Sequence, residues 1–464
     1  MTVADPLSSI PTQFWSPDGQ YTGLAAFDPV QSTVPAPPQA TQAPVTISLP
    51  TGNVPGLNAK QHRTDFMGIS LEMSVSDRIS ESYLPVQITI AWVAIRVGSN
   101  SQEQATMIPA CAPLEGPTIN KTANPVQVPG FTSSPLLTIS EDLIYAMNNI
   151  SALQEIPTII DDVTSILGTN RLGFQMANEP DIYESYGKKP ASYQIPEYMA
   201  DWERVRSTYA ADRTDLIAPN FAPHLHSVSI QHYKDNACAN ALIPMPPQDA
   251  FLTYQTHSSA QNFWNPYVNA SQIINAAGKD FINQYRLLQW FCRCFGLLRF
   301  RPLPNRPRPP SASIGMSQIL LHNGGDGQAY NLFTPPPNNQ STLRQWTTTP
   351  PYYSALIMSE VTEEEGSQVM DLLLGGNSTH TPGYAIYKSG TPIKLALFNY
   401  ITDPSGANDA QFNFPSTQPS VRVKYFSSAT GSHTSSILLG ELTRIYRSYE
   451  KKNLTNGMGS SATQ

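Results

Sequence analysis

An apolar run that stops at a carboxylate constrains this chain more than any other feature. Leu172-Gly173-Phe174-Gln175-Met176 has the composition of a buried strand, and Ala177-Asn178-Glu179-Pro180-Asp181 follows it without a spacer. Such a strand places a side-chain amide and a carboxylate together at its C-terminal end. In a barrel of alternating strands and helices that end carries the chemistry. A carboxylic acid there can protonate the oxygen of a departing sugar, and a neighbouring Asn can bind the sugar 2-hydroxyl. On the strand pattern alone Glu179, with Asn178 beside it, is either a carboxylate placed for such chemistry or an ordinary loop glutamate.

The rest of the chain supplies strands and helices around this segment. Ile69, Leu71, Met73 and Val75 share one face of a strand over residues 68–76. A second apolar strand over residues 90–98 ends in Arg96-Val97-Gly98. Ser140 caps a helix that runs to Asn149, with Glu141 and Asp142 in its first turn, and Pro157–Leu167 forms another. Beyond residue 340 the pattern changes. A helix over Tyr352–Glu360 precedes short strands at Val369–Leu374, Gly383–Tyr387, Ile393–Tyr400 and Val421–Phe426, separated by Gly/Pro/Asn turns. That spacing predicts a C-terminal β-sandwich over 361–464. A β/α region at 46–360 precedes it, and residues 1–45, rich in Pro, Ala and Gln from residue 30 onward, form an extended linker.

Several segments, in order, resemble fungal proteins of glycoside hydrolase family 79, the β-glucuronidase group related to heparanase. Ile95-Arg96-Val97-Gly98-Ser99-Asn100-Ser101-Gln102-Glu103 resembles that family's Arg-Val-Gly-Gly-Asn-Thr-Gln-Glu. Ile69–Ser74 is similar to its early Ser-Ile-Glu strand, and Gln175–Tyr183 to Gln-Val-Gly-Asn-Glu-Pro-Asp-Leu-Tyr. His322–Phe333 and Tyr384–Gly406 resemble its late barrel segment and its C-terminal β-domain. The resemblance implies a clan A (β/α)8 TIM barrel and a retaining mechanism that uses two carboxylates. It implies Glu179 as general acid/base, and Glu72, Asn100, Asn178, Tyr233 and Tyr330 as sugar contacts. A glucuronide-type glycan is the implied substrate, with no cofactor and no metal.

A retaining enzyme needs a second carboxylate about 5 Å from the first. The family places it in a Glu-Thr-Asn-x-Ala-Ser-Cys-Gly-Gly string, which would fall at the Ile282–Asn283 junction, and no such string is present. Residues 283–310 are instead basic and Pro-rich, with Arg286, Arg293, Arg299, Arg301, Arg306 and Arg308. Read as a functional loop, this stretch would bind an acidic glycan or nucleic acid. A one-base shift of frame explains it better. Codon degeneracy then permits Thr-Asn-Thr-Ala-Ser-Cys-Asn from Asn283–Gln289, and Gly-Ser-Ala-Gly-Val-Ser-Asp-Ser-Phe-Ala-Ser from Trp290–Phe300. The nucleophile is therefore expected to be missing. The chain between Ile150 and Leu172 is also short, and no barrel strand is expected there, which would leave the barrel incomplete. Asp326, in Gly-Gly-Asp-Gly, reads as a turn residue.

Composition narrows the partners. A net charge of -7, thinly spread, leaves no footprint for nucleic acid, and no apolar run approaches the roughly 20 residues a bilayer requires. Sequons at Asn120, Asn149, Asn269, Asn339, Asn377 and Asn453 agree with an extracellular, secreted protein, although Met1–Pro6 contains no apolar signal region. Cys111, Cys238, Cys292 and Cys294 lack metal-site spacing and allow one disulfide at most. The ancestry that the resemblance implies is that of a retaining β-glycosidase. The alternative is a family member without turnover, or the product of a defective gene model, that at most binds sugar.

Overall fold

The computed structural model describes residues 44–55, 57, 65–78, 94–108, 119–125, 135–141, 143, 152–154, 160–168, 171–175, 177–184, 187–218, 225–232, 256–285, 309–324, 331–334, 347–348, 350–362, 365–377, 380–401, 408, 410–413 and 454–455. In chain order the strands are β1 (Val45–Thr46), β2 (Met67–Glu72), β3 (Ala94–Gly98), β4 (Ala105–Met107), β5 (Ile119–Thr122), β6 (Leu136–Ile139), β7 (Ala152–Gln154), β8 (Arg171–Gln175), β9 (Leu216–Ala218), β10 (Leu225–Gln231), β11 (Asp280–Tyr285) and β12 (Gln318–Asn323). They continue as β13 (Phe333–Thr334), β14 (Thr347–Thr348), β15 (Gln368–Asp371), β16 (Gly383–Lys388), β17 (Thr391–Leu397), β18 (Gln411–Asn413) and β19 (Leu454–Thr455). The helices are α1 (Ile160–Leu167), α2 (Ile195–Tyr209), α3 (His257–Trp264), α4 (Val268–Ala276), α5 (Pro309–Ser313), α6 (Pro350–Thr362) and α7 (Leu374–Asn377).

Strands buried on both faces build a closed parallel ring. Strands β2, β3, β7, β8, β9, β10, β11 and β12 each pair in parallel with the next, and β12 pairs back to β2. Side chains alternate between the two faces of each strand. Ile69 and Leu71 of β2, Ile95 and Val97 of β3, Phe281 of β11 and Ile319 and Leu321 of β12 face outward into the main core. There they meet Val163 and Leu167 of α1, Trp202 of α2, Trp264 of α3 and Met358 of α6. The inward residues form a second, smaller cluster in which Ala94, Ile217, Ile282 and Leu320, from four different strands, touch one another across the ring. Gly68 is needed at this level. A Cβ there would stand 2.5 Å from the carbonyl oxygen of Ala94, too close for any side chain.

Two expectations change here. The chain between Ile150 and Leu172 does supply a strand. Ala152–Gln154 bridges β3 and β8, so the ring is complete, although this sector is held by very short pairings. Residues 73–76, expected to continue the first strand, instead wind into a 3-10 turn over Met73–Arg78. Past the rim they have no strand to pair with, and the turn satisfies their backbone locally. The Ser74 N–H donates to Ser101 Oγ at 3.1 Å, and Ser76 Oγ to the Met73 carbonyl at 2.8 Å.

A small sheet in the order β4-β6-β5 is inserted between β3 and β7. The C-terminal region holds a three-stranded antiparallel sheet, β15-β16-β17, and a second sheet, β1-β18-β19. Strand β16 is buried on both sides. Tyr384 and Ile386 join the barrel's outer core, whereas Ala385 and Tyr387 pack with Val54. Val45 and Ile47, from the segment read as the linker's end and the start of the barrel region, pack with Leu374, Ala410 and Phe412, and Leu395 and Leu397 of β17 lie against them. The two sheets thus share an apolar layer. Val421–Phe426 and all four cysteines lie outside the described residues. The barrel meets the antiparallel sheet through buried His257 of α3, whose Nε2 lies 2.7 Å from Asp371 Oδ2 of β15, with Gln261 Nε2 donating to the same oxygen at 3.2 Å. No helix among the described residues is long and apolar enough to cross a membrane.

Asn283 of β11 is a local defect in this packing. It faces outward, is completely buried, and neither atom of its amide has a hydrogen-bond partner. A buried polar group left unpaired destabilises by about 1–3 kcal/mol. Asn283→Leu, of similar shape, is expected to raise the unfolding free energy by about 1–3 kcal/mol in urea titrations. An unchanged or lower midpoint would show that the amide is satisfied in solution.

Candidate functional site

The C-terminal end of β8 projects into the barrel mouth through a strained turn. Ala177 has φ 87° and Glu179 has φ 47°, both left-handed, and Asn178 lies between them. Ser99, which precedes Asn100 at the end of β3, has φ 74°. Left-handed backbone at a residue with a side chain persists only where the surroundings over-determine it. Here the surroundings do so through Asn178.

The Asn178 side chain is buried and uses its full hydrogen-bonding capacity. Its Oδ1 accepts from Arg96 at 2.9 Å and from Gln231 Nε2 at 2.7 Å. Its Nδ2 donates to Asn100 Oδ1 at 2.8 Å and to Glu179 Oε2 at 3.4 Å. The Arg96 guanidinium can only donate, so the Asn178 oxygen must face it, and Gln231 must then present its nitrogen. The same logic runs on across the barrel. Gln231 Nε2 also donates to Gln284 Oε1 at 2.7 Å, Gln284 Nε2 donates to Gln175 Oε1, and Gln175 Nε2 donates to the Ala177 carbonyl at 3.2 Å. A carbonyl can only accept, so both ends of this chain of amides fix its direction.

Arg96 itself is 2% exposed. It also donates to Ser70 Oγ at 2.9 Å, and His322 Nδ1 lies 3.4 Å from that hydroxyl. Glu103 secures the turn from outside. Its carboxylate accepts the Asn178 backbone N–H at 3.0 Å, the Tyr183 hydroxyl, and the Lys188 ammonium. Burial first, then the Glu103 charge, push the Tyr183 phenol far above its ordinary range, so it stays a donor. The segment after Glu179 is anchored on α2. Lys189 bridges to Asp201 at 2.6 Å and Tyr193 donates to the same carboxylate at 3.2 Å. Burial, and then Asp201, push the Tyr193 phenol up to about 12, while the hydrogen bond from Lys189 leads the causes that hold Asp201 below the usual carboxylate range.

The residues singled out in the sequence therefore separate into groups. Glu179, 8% exposed, Asn178 and Asn100 are brought together at the mouth. Glu72, at the end of β2, is turned to the neighbouring Ser101, whose N–H donates to Oε1 at 3.2 Å and whose hydroxyl donates to the same oxygen. Tyr233, Tyr330, Asp326 and the arginine-rich residues 286–308 lie outside the described residues. The junction expected to hold the nucleophile lies inside β11. Ile282 belongs to the apolar inner cluster and Asn283 faces outward, so neither points at the mouth. Asn283, Gln284 and Tyr285, at the start of the stretch read as out of frame, hydrogen-bond in register with β10 or β12. Arg96, Glu103, Gln175, Gln231, Gln284 and His322 were not foreseen as site residues. Period-two alternation along β10, β11 and β12 is the signal that could have found the last three. Among the described residues no cluster of His, Cys, Asp and Glu could hold a metal ion.

No protein-family model matches the chain, and no curated protein matches its sequence. Solved structures do match its fold. A 4-O-α-L-rhamnosyl-β-D-glucuronidase from Fusarium oxysporum 12S, solved with Rha-GlcA, superposes with a TM-score of 0.61 at 13% identity, over 84% of this chain and 89% of that one. A family 51 α-L-arabinofuranosidase from Bifidobacterium longum aligns over 85% of this chain and 93% of that one, with a TM-score of 0.47 and 9% identity. The chain shares the fold of the first of these, a barrel of the TIM type.

Two outcomes follow from this geometry. The segments that the strand ends resemble carry Gly where Ser99 and Ala177 stand. Ser99→Gly and Ala177→Gly are each expected to stabilise the fold by about 0.5–1 kcal/mol in denaturant titrations, because only glycine adopts positive φ without steric conflict. His232, just past β10, stacks on Phe263 at 4.3 Å and meets the edge of Tyr267, and burial pushes its imidazole below the ordinary value. The unfolded chain then binds the extra proton more readily, so this residue's contribution to stability is present above about 6.5 and lost progressively as pH falls below it, toward the folded-state value. Native and His232→Phe stabilities, measured from pH 7.5 to 5, should differ in slope, with the variant the flatter. Parallel curves would count against this assignment.

Proposed function

We propose that the barrel mouth is a carbohydrate site of the glycoside hydrolase kind, built on a β-glucuronidase-type ancestor that retained configuration, and that this chain binds sugar there without turning it over. Glu179 is its proton-donating carboxylate and Asn178 the amide beside it. One observation carries the reading. The β8 end holds Glu179 at the mouth through a saturated hydrogen-bond network, while the inward side chains at the facing ends of β10, β11 and β12 are Gln231, Gln284 and His322. Retaining cleavage needs a carboxylate opposite the acid to attack the anomeric carbon. Among the described residues, Glu103 is engaged by Asn178, Tyr183 and Lys188, and Glu72 by Ser101. Neither is placed as that nucleophile.

The glucuronide preference draws on the rhamnosyl-glucuronidase that shares the fold and on the segments at Arg96–Glu103 and Gln175–Tyr183. A secretory route is part of the proposal, supported by exposed asparagines in two sequons, Asn120 on β5 and Asn269 on α4.

Binding of glucuronic acid and of Rha-GlcA is measurable by ligand-observed NMR, and turnover by release of p-nitrophenol from its β-D-glucuronide. Saturable binding without hydrolysis above the buffer rate is expected. Glu179→Ala should weaken binding by roughly tenfold, the loss of about 1.5 kcal/mol for one hydrogen bond. Absence of binding, or binding indifferent to Glu179, would defeat the reading. Hydrolysis by the native chain would restore an active glycosidase.

A further inference from the structure

We propose that Gln284 stands where a second carboxylate would complete this site, so that the barrel is one side chain short of a hydrolase. The inference rests on the sugar-site reading above. Gln284 is the last inward polar side chain on β11, one position above Ile282 of the apolar cluster. It is nearly buried, and it is linked to the acid-bearing turn by a single amide, because one nitrogen of Gln231 donates at 2.7 Å both to Gln284 Oε1 and to Asn178 Oδ1. The position therefore faces the Glu179 turn from the other side of the mouth and carries a neutral group with the shape of a glutamate.

Gln and Glu differ only in replacing NH2 by an oxygen. The Gln231 donor would serve a carboxylate at this position as it serves the amide. The other contact changes sign, since Gln284 Nε2 now donates to Gln175 Oε1. In the Gln284→Glu variant, Gln175 must rotate its amide, giving up its bond to the Ala177 carbonyl to offer nitrogen instead. The reaction then balances. A carboxylate oxygen at position 284 attacks the anomeric carbon, the bond from that carbon to the aglycone oxygen breaks, and Glu179 gives its proton to the departing oxygen. Water next attacks the glycosyl ester, Glu179 takes its proton, and the sugar and both side chains are released as they began.

The test compares native chain, Gln284→Glu and Gln284→Ala on p-nitrophenyl β-D-glucuronide, with glucuronic acid binding and thermal unfolding recorded for each. Gln284→Glu should release p-nitrophenol at least about a hundredfold faster than the native chain, and Glu179→Gln in the same background should abolish most of that gain. Gln284→Ala should respond to added azide, which occupies the vacated space, attacks the anomeric carbon, expels p-nitrophenolate and leaves a glycosyl azide detectable by mass spectrometry. This arm decides the matter if Gln284→Glu fails to fold. Gain of turnover in either arm supports the inference. Folded, sugar-binding variants that show neither gain would overturn it while leaving the sugar-site reading intact, whereas loss of sugar binding in the native chain removes both.

Discussion

The side chain of Asn178 is the contact on which the barrel mouth depends. Four hydrogen bonds converge on it from β3, the loop after β3, β10 and its own successor, Glu179. Each strand end is thereby tied to another without passing through the backbone ladder. The network also explains why left-handed backbone at Ala177 and Glu179 is tolerated. A turn that costs about 1–3 kcal/mol per strained residue survives when alternatives would strand several buried donors and acceptors at once. Glu103 completes the arrangement by accepting the Asn178 backbone N–H.

Layering inside the ring sets the strength of these contacts. Below lies an apolar floor of Ala94, Ile217, Ile282 and Leu320, and above it Ser70, Arg96, Gln175, Gln231, Gln284 and His322 point into the same space. Hydrogen bonds in such a water-poor interior are stronger than at a surface, and an unmatched partner is correspondingly costly. Amides suit this layer well. Each offers donors and acceptors at once, so a chain of them can saturate itself without a net charge. Among the described residues, the carboxamides of Gln231 and Gln284 offer hydrogen bonds to the acid-bearing turn and carry no charge.

Much of the fold was legible because local patterns and tertiary needs agreed. The strand before Glu179, the 160s helix, helix α6 and the β15–β17 strands all lie close to where apolar periodicity and turn residues put them. The short β7 strand was not legible, since three residues carry too little pattern to separate a strand from a loop. The change from strand to 3-10 turn at Met73 was hidden for a related reason: Met73 and Val75 continue the alternation, and only the end of the barrel rim stops the strand. At the strand ends, the chain singled out Asn100, Asn178 and Glu179, and the structure brings the three into contact. Glu103 and Gln284 could not be singled out, because their roles arise from neighbours 75 and 53 positions away, Asn178 and Gln231.

The sequence by itself determined that an apolar strand, β8, ends at an amide and a carboxylate, Asn178 and Glu179. It also determined that a β/α region precedes a β region. Only the tertiary structure decided what stands opposite Glu179, which strands close the ring, and that Val45–Thr46 pairs with β18 from the far end of the chain. The physical reason is range. Alternation and capping act over a few residues and leave their mark in composition, whereas the partner of a side chain across a barrel is set by the register of strands distant in sequence.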